Sequence, residues 1–562
     1  MKILALDLET TGLNFSSDVI SIAVTANFGG NETPLVKSWL ATGGDLFQKP
    51  TPIPVIVHEL SCLIDQADIV ALHNASFDLS FLFGKGLLRP EKIKGKIFDT
   101  LLTARMTGPR DSVSLESLCN HYKLSNDRWK RMKASRSNLR HLSVESVLEY
   151  NTLDAVNTLN LAEILWKESV AIYGESFTLR ESDFCRVMAE IRVRGKALDR
   201  DSIASYEQRL LRQRRRILKY ILFPVRIEGP NDRMGLIRHL KTHGFRDFKR
   251  TEKGNESVAK DELRAIITRL ETTKREDLAM VCRAIQSVRH SEKILDTYLL
   301  PLVKEHADAE DRIHPSFTVG GTVTYRLSSS HPNGQNMPRE LAHVLWQPYL
   351  SADYSQAELR LAAAYAQEPA LAQAFAEGLD VHLDTAKRMF GEAQAAVKRS
   401  TAKNINFLSL YGGGAKTLST RFNVPFDDAT EFLRLHRQVY PHLHRATKTA
   451  QATWQERGYV KLLSGKRIYA TKDDLQRSYK AFNNIIQGGV AELVKEAMLT
   501  LDGMGIPMLG QEHDAISFPI EVEREPIAEV MNAILPAHIA TRTIPPIQMR
   551  VDFDVKGTKS RG

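Results

Sequence analysis

YLSADYSQAELR, residues 349–360, is the stretch on which the fold reading turns. An apolar run ends in Asp353 and Tyr354, and SQAELRLAAAYAQ after it has helical spacing, so the chain reads as a buried strand running into a helix. Ser355 and Glu358 have the S-x-x-E spacing of a capping box at that helix start. Asp353 has no such local use. An acid at the end of a buried strand is a candidate metal ligand, and GQEHDAISF, residues 510–518, reads as a β-hairpin that supplies a second acid, Asp514.

Outward from this stretch, glycine and serine rise in TVGGTVTYRLSSSHPNGQNMP, residues 318–338, which predicts strands and turns opening a new domain. Helical patterns dominate residues 382–490. Within them Arg399, Lys403, Phe407 and Tyr411 recur every fourth position before the run Gly412-Gly413-Gly414, forming a stripe of about 18 Å that starts with two cations and ends with two rings. That layout suits a nucleoside triphosphate, and equally an amphipathic helix with core rings and surface cations. Strand-like alternation returns in residues 506–522 and 547–555, which predicts a mixed sheet assembled from separated pieces.

The N-terminal part carries a different pattern. KILALDLET, residues 2–10, is an apolar run with Asp7 and Glu9 two apart, which puts both carboxylates on one strand face. ADIVALHNAS leads into FDLSFLF with Asn74 and Asp78 four apart, and a helical segment from Val144 places Tyr150 one turn before Asp154. Two divalent ions close together need several anionic oxygens, and Asp7, Glu9, Asp78 and Asp154 supply them, with the Tyr150 hydroxyl able to orient a water. Residues 181–315 between the two parts read as mostly helical and charged. RLLRQRRRILKY there is a solvated helix face as readily as a DNA contact, and DLAMVCRAIQSVRHSEKILDTYLLPLV, residues 277–303, predicts one long helix.

The 562 residues suffice for three or four domains, and 43% hydrophobic with 25% charged residues is globular composition. A net charge of +9 favours a polyanionic partner without specifying one. No run of 18 apolar residues predicts a membrane span, and the four scattered cysteines argue against a disulfide framework or zinc site, so a reduced, cytoplasmic protein is expected.

Through DLET (7–10), HNASFD (73–78), DTLLTARM (99–106) and YNTLD (150–154), the N-terminal part resembles the DEDDy branch of the 3′–5′ exonucleases. The remainder resembles the family A DNA polymerases of Klenow-fragment type through TYRLSSSHPNGQNMP, DYSQAELR, DVHLDTA, RSTAKNINFLSLYG, NNIIQGGVAELVKEAM and EHDAISF. RVRGKALDRDSI, residues 192–203, and the helices after it fit the thumb. The resemblance implies a multidomain α/β and α+β chain: an RNase H-like exonuclease domain over 1–175, the lead-in to the palm with a helical thumb over 176–317, palm over 318–384, fingers over 385–482 and the second part of the palm over 483–562.

Carried over by position, Asp353, Asp514 and the Tyr354 carbonyl would hold two Mg²⁺ in the polymerase site, and Asp7, Glu9, Asp78 and Asp154 two more in the exonuclease, with Mn²⁺ able to substitute. Arg399, Lys403 and His382 would bind the triphosphate, with Lys403 also placed to protonate pyrophosphate. Phe407, Tyr411 and Gln356 would contact the incoming nucleotide, and Glu358 would obstruct a ribose 2′-OH. Arg326, Asn333, Gln335, Asn336, Asn483, Gln487 and His513 would contact primer and template, and Asn74 the strand in the exonuclease site. The implied partners are primer–template DNA, dNTPs and phage replication proteins, with the chain a monomer.

Three positions depart from the family pattern: Ala515 where an acid usually follows the catalytic aspartate, Tyr479 where an arginine is common, and Leu408 where a small residue is usual. With the exonuclease strand starting at residue 2, no 5′-nuclease domain is expected, and the compact layout is similar to phage replicative enzymes, including the DpoZ type associated with 2-aminoadenine genomes. Ala515 keeps a second reading open, an exonuclease whose polymerase half only grips DNA.

Overall fold

The alternation in the first strand, β1 (Ile3–Thr10), is buried on both sides. Leu4, Leu6 and Leu8 join one apolar cluster, while Ile3 and Ala5 join another. Asp7 and Glu9 therefore continue the Ile3/Ala5 face. β2 (Val19–Asn27) and β3 (Leu35–Leu40) extend the sheet on one side, and β4 (Ile69–Leu72) and β5 (Ile97–Asp99) on the other, in the order β3-β2-β1-β4-β5. β1 runs antiparallel to β2 and parallel to β4. The computed structural model describes residues 1–29, 34–43, 49–124, 129–130 and 143–557.

Helix α1 (Ile53–Gln66) precedes β4; α2 (Ala75–Gly84) follows it, and α3 (Thr100–Thr107) follows β5. Asp99 caps α3 through the amides of Leu101 and Leu102 while its other oxygen accepts from Ala75 N, so one buried acid ties the starts of α2 and α3. The 30-residue α4 (Val144–Tyr173), capped by Ser143, packs on β1 and β2. α5 (Glu175–Arg194) follows and packs on α2.

The chain forms two compact units. One comprises Lys196–Ile313 and Met337–Gln347. It contains the short antiparallel pair β6 (Lys196–Ala197) and β7 (Arg312–Ile313), with helices α6 (Arg200–Ile217), α7 (Arg233–Thr242), α8 (Lys260–Thr272) and α9 (Glu276–Glu292). Leu236, Leu240, Ile266, Leu270 and Ile285 belong to its own core. The long helix expected over 277–303 forms: the chain is helical without a gap from Glu276 to His306, and after Glu292 it widens into i→i+5 turns at Lys293–Leu299 and Leu302–His306. Pro301 between them has no amide to donate and crowds the preceding turn.

The other unit comprises Met1–Gly195, His314–Asn336 and Pro348–Val555. Beyond the N-terminal sheet it holds the pair β8 (Ser316–Thr318) and β9 (Ser328–Ser330), the strand β10 (Tyr349–Tyr354), α10 (Ala357–Ala366), α11 (Val381–Phe390), α12 (Glu392–Leu410) and α13 (Pro441–Arg457). The hairpin β11 (Tyr459–Lys461) and β12 (Arg467–Tyr469) leads to α14 (Ala481–Gly503), then β13 (Gly510–Glu512), β14 (Ala515–Pro519) and β15 (Val551–Lys556). A second sheet has the order β13-β14-β10-β15, so β10 sits inside it between strands drawn from much later in the chain. Leu4 and Leu79 share one continuous core with Leu350, Phe482 and Phe518, so both sheets of this unit rest on the same apolar interior. All four cysteines are free thiols, and among the described residues no helix is long and apolar enough to cross a membrane.

Candidate active sites

Strand β1 and helix α4 bring three acids of the N-terminal sheet together. One carboxylate oxygen each from Asp7, Glu9 and Asp154 lies within 4.8 Å of the others. Asp78 on α2 stands outside that trio yet acts on it electrostatically. Burial, then the charges of Asp154, Asp78 and Glu9, push the Asp7 carboxyl well above its ordinary range. Burial likewise raises Asp78, opposed by its own amide and that of Leu8 and reinforced by Glu9. Buried like charges at this spacing repel strongly, which is the donor set a divalent cation satisfies.

Two partners of the trio escape a reading of the sequence. Asn151 donates from Nδ2 to Asp7 Oδ2 at 2.7 Å and accepts from Ser21 Oγ at 3.0 Å, and Trp129 Nε1 donates to Asp154 Oδ1 at 2.5 Å. Asn151 sits inside the quoted YNTLD block, one turn before Asp154, so its signal is present; Trp129 carries none. Tyr150 is buried in a small cluster with Cys119 and Trp129. Asn74 takes a left-handed backbone, φ 68°, immediately before α2, and its Oδ1 is buried without a hydrogen-bond partner among the described residues.

In the second sheet, β10 and β14 pair antiparallel with Asp353 opposite Ala515. His513 and Asp514 form the two-residue turn between β13 and β14, with His513 at φ 59°. Tyr354 N donates to Asp514 O at 3.4 Å. The two acids thus lie at the same end of adjacent strands. Burial raises the Asp514 carboxyl, its own amide lowers it, and the Glu358 charge raises it further, which places Glu358 in the same electrostatic neighbourhood.

The capping box expected from Ser355 and Glu358 does not form. Helix α10 starts at Ala357 behind Gln356, which has φ 54° and makes no side-chain cap bond. The Glu358 carboxylate is taken by distant partners, accepting from Arg326 Nη2 at 2.7 Å and from the Tyr411 hydroxyl at 2.9 Å. Gln487 on α14 bonds the same tyrosine. Glu358, Arg326, Tyr411 and Gln487, singled out from four separate blocks, therefore meet in one hydrogen-bonded group.

Helix α12 delivers the expected stripe, ending with Tyr411 at its C-cap. Arg399 grips Asp380 Oδ2 at 2.7 and 2.6 Å, while Asp380 Oδ1 caps α11 through the amides of His382 and Leu383. Asp380 is a partner of Arg399 that the sequence reading lacks, although it opens the quoted DVHLDTA block. His382 is buried, its Nδ1 3.1 Å from Asn406 Nδ2 and its ring 5.8 Å from that of Phe407. Burial pushes His382 down to about 4, so the imidazole is neutral at pH 7. Arg399, His382, Asp380 and Gln356 line one cleft of about 310 Å³, and Lys403 is exposed one turn further along α12.

Residues 203–560 match the model of "DNA polymerase family A", and residues 1–169 match that of "3′-5′ exonuclease". The chain belongs to DNA polymerase family A. It is similar to DNA polymerase I of Helicobacter pylori, 28% identical over 504 residues that cover 83% of this chain and 52% of that protein. It is also similar to DNA polymerase I of Pseudomonas aeruginosa, 26% identical over 584 residues covering 97% and 62%. The chain spans about half the length of the H. pylori relative. Among solved structures, the POL domain of Pol1 from M. smegmatis, in complex with DNA primer-template and dNTP, shares the fold at TM-score 0.74 and 21% identity, over 99% of this chain and 95% of that one.

The three departures from the family A pattern have local structural counterparts. Ala515 is buried in β14, facing Asp353 across the strand pair. Leu408 is buried with Met389, Ile405 and Leu418, and a Cβ on Gly413 would lie 2.1 Å from its Cδ1. Tyr479 is exposed, and its carbonyl lies where a Cβ on Gly412, at φ 68°, would meet it at 2.2 Å. Gly412 is thus required by its left-handed backbone and by the main-chain carbonyl of residue 479, whatever side chain stands there, while at Gly413 a Cβ would have to displace the end of the Leu408 side chain. Asn333 holds its own loop, its Oδ1 accepting from the amides of Gln335 and Asn336, and Gln335 reaches Gln511 Oε1 at 2.8 Å. Asn483 is half-buried near the start of α14.

Proposed function

We propose that the chain is a DNA-directed DNA polymerase with a 3′–5′ proofreading exonuclease, each activity in its own site. The observation that carries this reading is the pair of separate acid sets, Asp7, Glu9 and Asp154 on one sheet and Asp353 with Asp514 on the other, the second flanked by the Glu358–Arg326–Tyr411 group. The donor chemistry fits divalent cations, two Mg²⁺ per site with Mn²⁺ as a substitute, held by Asp353, Asp514 and the Tyr354 carbonyl and by Asp7, Glu9, Asp78 and Asp154. Such cations, when bound, lower the pKa of an attacking oxygen and stabilise a leaving one.

The remaining roles fall to this chain's own side chains. Arg399 and Lys403 would hold the triphosphate of an incoming dNTP, and neutral His382 would donate a hydrogen bond to it. Lys403 would pass a proton to pyrophosphate. Arg326 and Gln487 would contact minor-groove acceptors shared by all four correct pairs. Tyr150 and Asn74 would position the strand and water in the exonuclease. Primer extension with Mg²⁺ and four dNTPs tests the reading: extension together with degradation of single-stranded 3′ ends is expected, whereas binding and degradation without extension would favour the exonuclease whose polymerase half only grips DNA.

Sugar selection is assigned to Glu358 and Phe407. Glu358 is clamped between Arg326 and Tyr411, so its carboxylate cannot swing aside for a 2′-OH. Glu358→Ala is expected to raise ribonucleotide incorporation by about 10- to 200-fold, the range for shape-based rejection. Phe407→Tyr should relax discrimination against dideoxynucleotides by supplying a hydroxyl in place of the absent 3′-OH. Terminator sensitivity unchanged in Phe407→Tyr would show that this ring does not face the sugar.

The finer setting we propose is phage genome replication by a cytoplasmic monomer, supported by the three departures. A 2-amino group on adenine adds a minor-groove donor and a third hydrogen bond to thymine, worth about 0.5–1.5 kcal/mol. Competition between dATP and its 2-amino analogue opposite thymine should therefore favour the analogue several-fold, and more so where proofreading removes adenine. Equal use by the wild type and by an Asp7→Ala, Glu9→Ala protein would leave an ordinary polymerase.

A further inference from the structure

A second basic cleft is lined by other residues than the catalytic one. It has a volume of about 520 Å³ and is walled by α13, the end of α10, β11 and α14. Arg445, Arg457, Lys461 and Arg542 face it with His442, and among the described residues no carboxylate lines it. All four strong cations are exposed. The nearby acid Glu368 is buried and occupied, accepting from the amides of His442 and Leu443 at 2.9 and 3.1 Å. Like charges gathered around one concavity repel each other and focus a positive potential into it.

We propose that this cleft binds single-stranded DNA, the unpaired template ahead of the primer end; this rests on the polymerase reading above. The cations are strung out: Arg445 and Arg457 are 12 residues apart on α13, about 18 Å, so the complementary anion is linear, with charges spaced along it. A cleft of small-molecule volume holds a few nucleotides of one strand and not a duplex. Tyr365 and Tyr459 line it and offer ring faces on which bases of any identity can stack.

Its position is right for the template. Helix α10 carries Glu358 near one end and Tyr365 near the other, about 10 Å on. Helix α14 presents Gln487 to the catalytic group and Ile485, two residues away and on the opposite face, to this cleft. A template leaving the nucleotide site thus reaches the cleft around either helix within a few nucleotides.

The test compares binding of primer–templates with 1- and 12-nucleotide template overhangs by fluorescence anisotropy across a salt series, for wild type and an Arg445→Ala, Arg457→Ala, Lys461→Ala protein. The wild type should bind the long overhang on the order of tenfold more tightly; the variant should lose that preference, with a salt slope lower by about 2, at roughly 0.7 for each phosphate that is no longer neutralised. Extension by one nucleotide on the short overhang should be unchanged, because none of the three residues belongs to the catalytic group. A wild type indifferent to overhang length, or a variant that keeps the preference, would overturn the assignment. Absence of extension by both proteins, with the binding difference intact, would instead refute the polymerase reading and leave the cleft a single-strand site.

Discussion

Asp514→Ala should lower primer extension by on the order of 10³-fold or more while leaving degradation of single-stranded 3′ ends near wild type, and Asp7→Ala with Glu9→Ala should do the reverse. The magnitude follows from what is removed. Losing one preorganised dipole from a reacting centre already costs about 10²–10³ in rate, and a carboxylate that would hold a cation contributes more. The next residue in the chain is Ala515, which offers no carboxylate, and Glu358, whose charge acts on Asp514, is already bound by Arg326 and Tyr411. Asp353→Ala should match Asp514→Ala for the same reason. Independence follows from the fold, since the two acid sets stand on different sheets, although those sheets share one apolar interior. Steady-state extension and exonuclease rates, measured on folded protein, decide it; loss of both activities in the Asp7→Ala, Glu9→Ala protein would refute two separable sites.

What can be read from sequence is what short-range periodicity controls. Asp7 and Glu9 have to share a strand face, GQEHDAISF has to fold as a hairpin, and the four-residue stripe from Arg399 has to run along one helix; the structure has all three. The capping box fails because a local rule meets stronger distant partners: Arg326 and Tyr411, 32 and 53 positions away, take the Glu358 carboxylate. The long helix over 277–303 is also there, and what its apolar pattern does not show is the widening into i→i+5 turns on either side of Pro301, which has no amide to donate. Asn151 on Asp7, across 144 positions, and Trp129 on Asp154 depend on packing of α4 that no window of sequence contains.

The largest stability effect is expected at Lys466, between β11 and β12. Its ammonium lies 2.7 Å from Glu181 Oε2 on α5 and 3.5 Å from Glu492 Oε1 on α14, and Lys495 also contacts Glu181. The four side chains are between 2 and 7% exposed, so water cannot replace a lost partner. Burial alone would raise the Glu181 carboxyl, but Lys466 and Lys495 outweigh it and hold it at about 2. Lys466→Met should therefore destabilise this unit by about 3–5 kcal/mol at pH 7, because it leaves the two buried carboxylates of Glu181 and Glu492 with Lys495 as the one buried cation of the network. Replacing Glu181 by Gln as well should recover part of the loss, since the stranded carboxylate is then gone.

The pH dependence has a definite sign. A carboxyl held below its unfolded value contributes stability above about pH 4.5 that disappears as pH falls toward 2, so the deficit of Lys466→Met should shrink on acidification below 4.5. Urea unfolding at pH 7 and pH 4 measures it, and a deficit under about 1 kcal/mol at pH 7 would mean the network is looser than its distances indicate. The same substitution should reach the polymerase site. The Tyr325 ring lies 4.4 Å from the Lys466 ammonium, and its hydroxyl donates to Arg467 O at 2.7 Å with Arg105 O also within 3.2 Å, which holds this left-handed residue (φ 59°) beside Arg326. Freed of Lys466, Tyr325 no longer fixes the residue that holds Glu358, so the nucleotide KM should rise while exonuclease activity on single strands changes little.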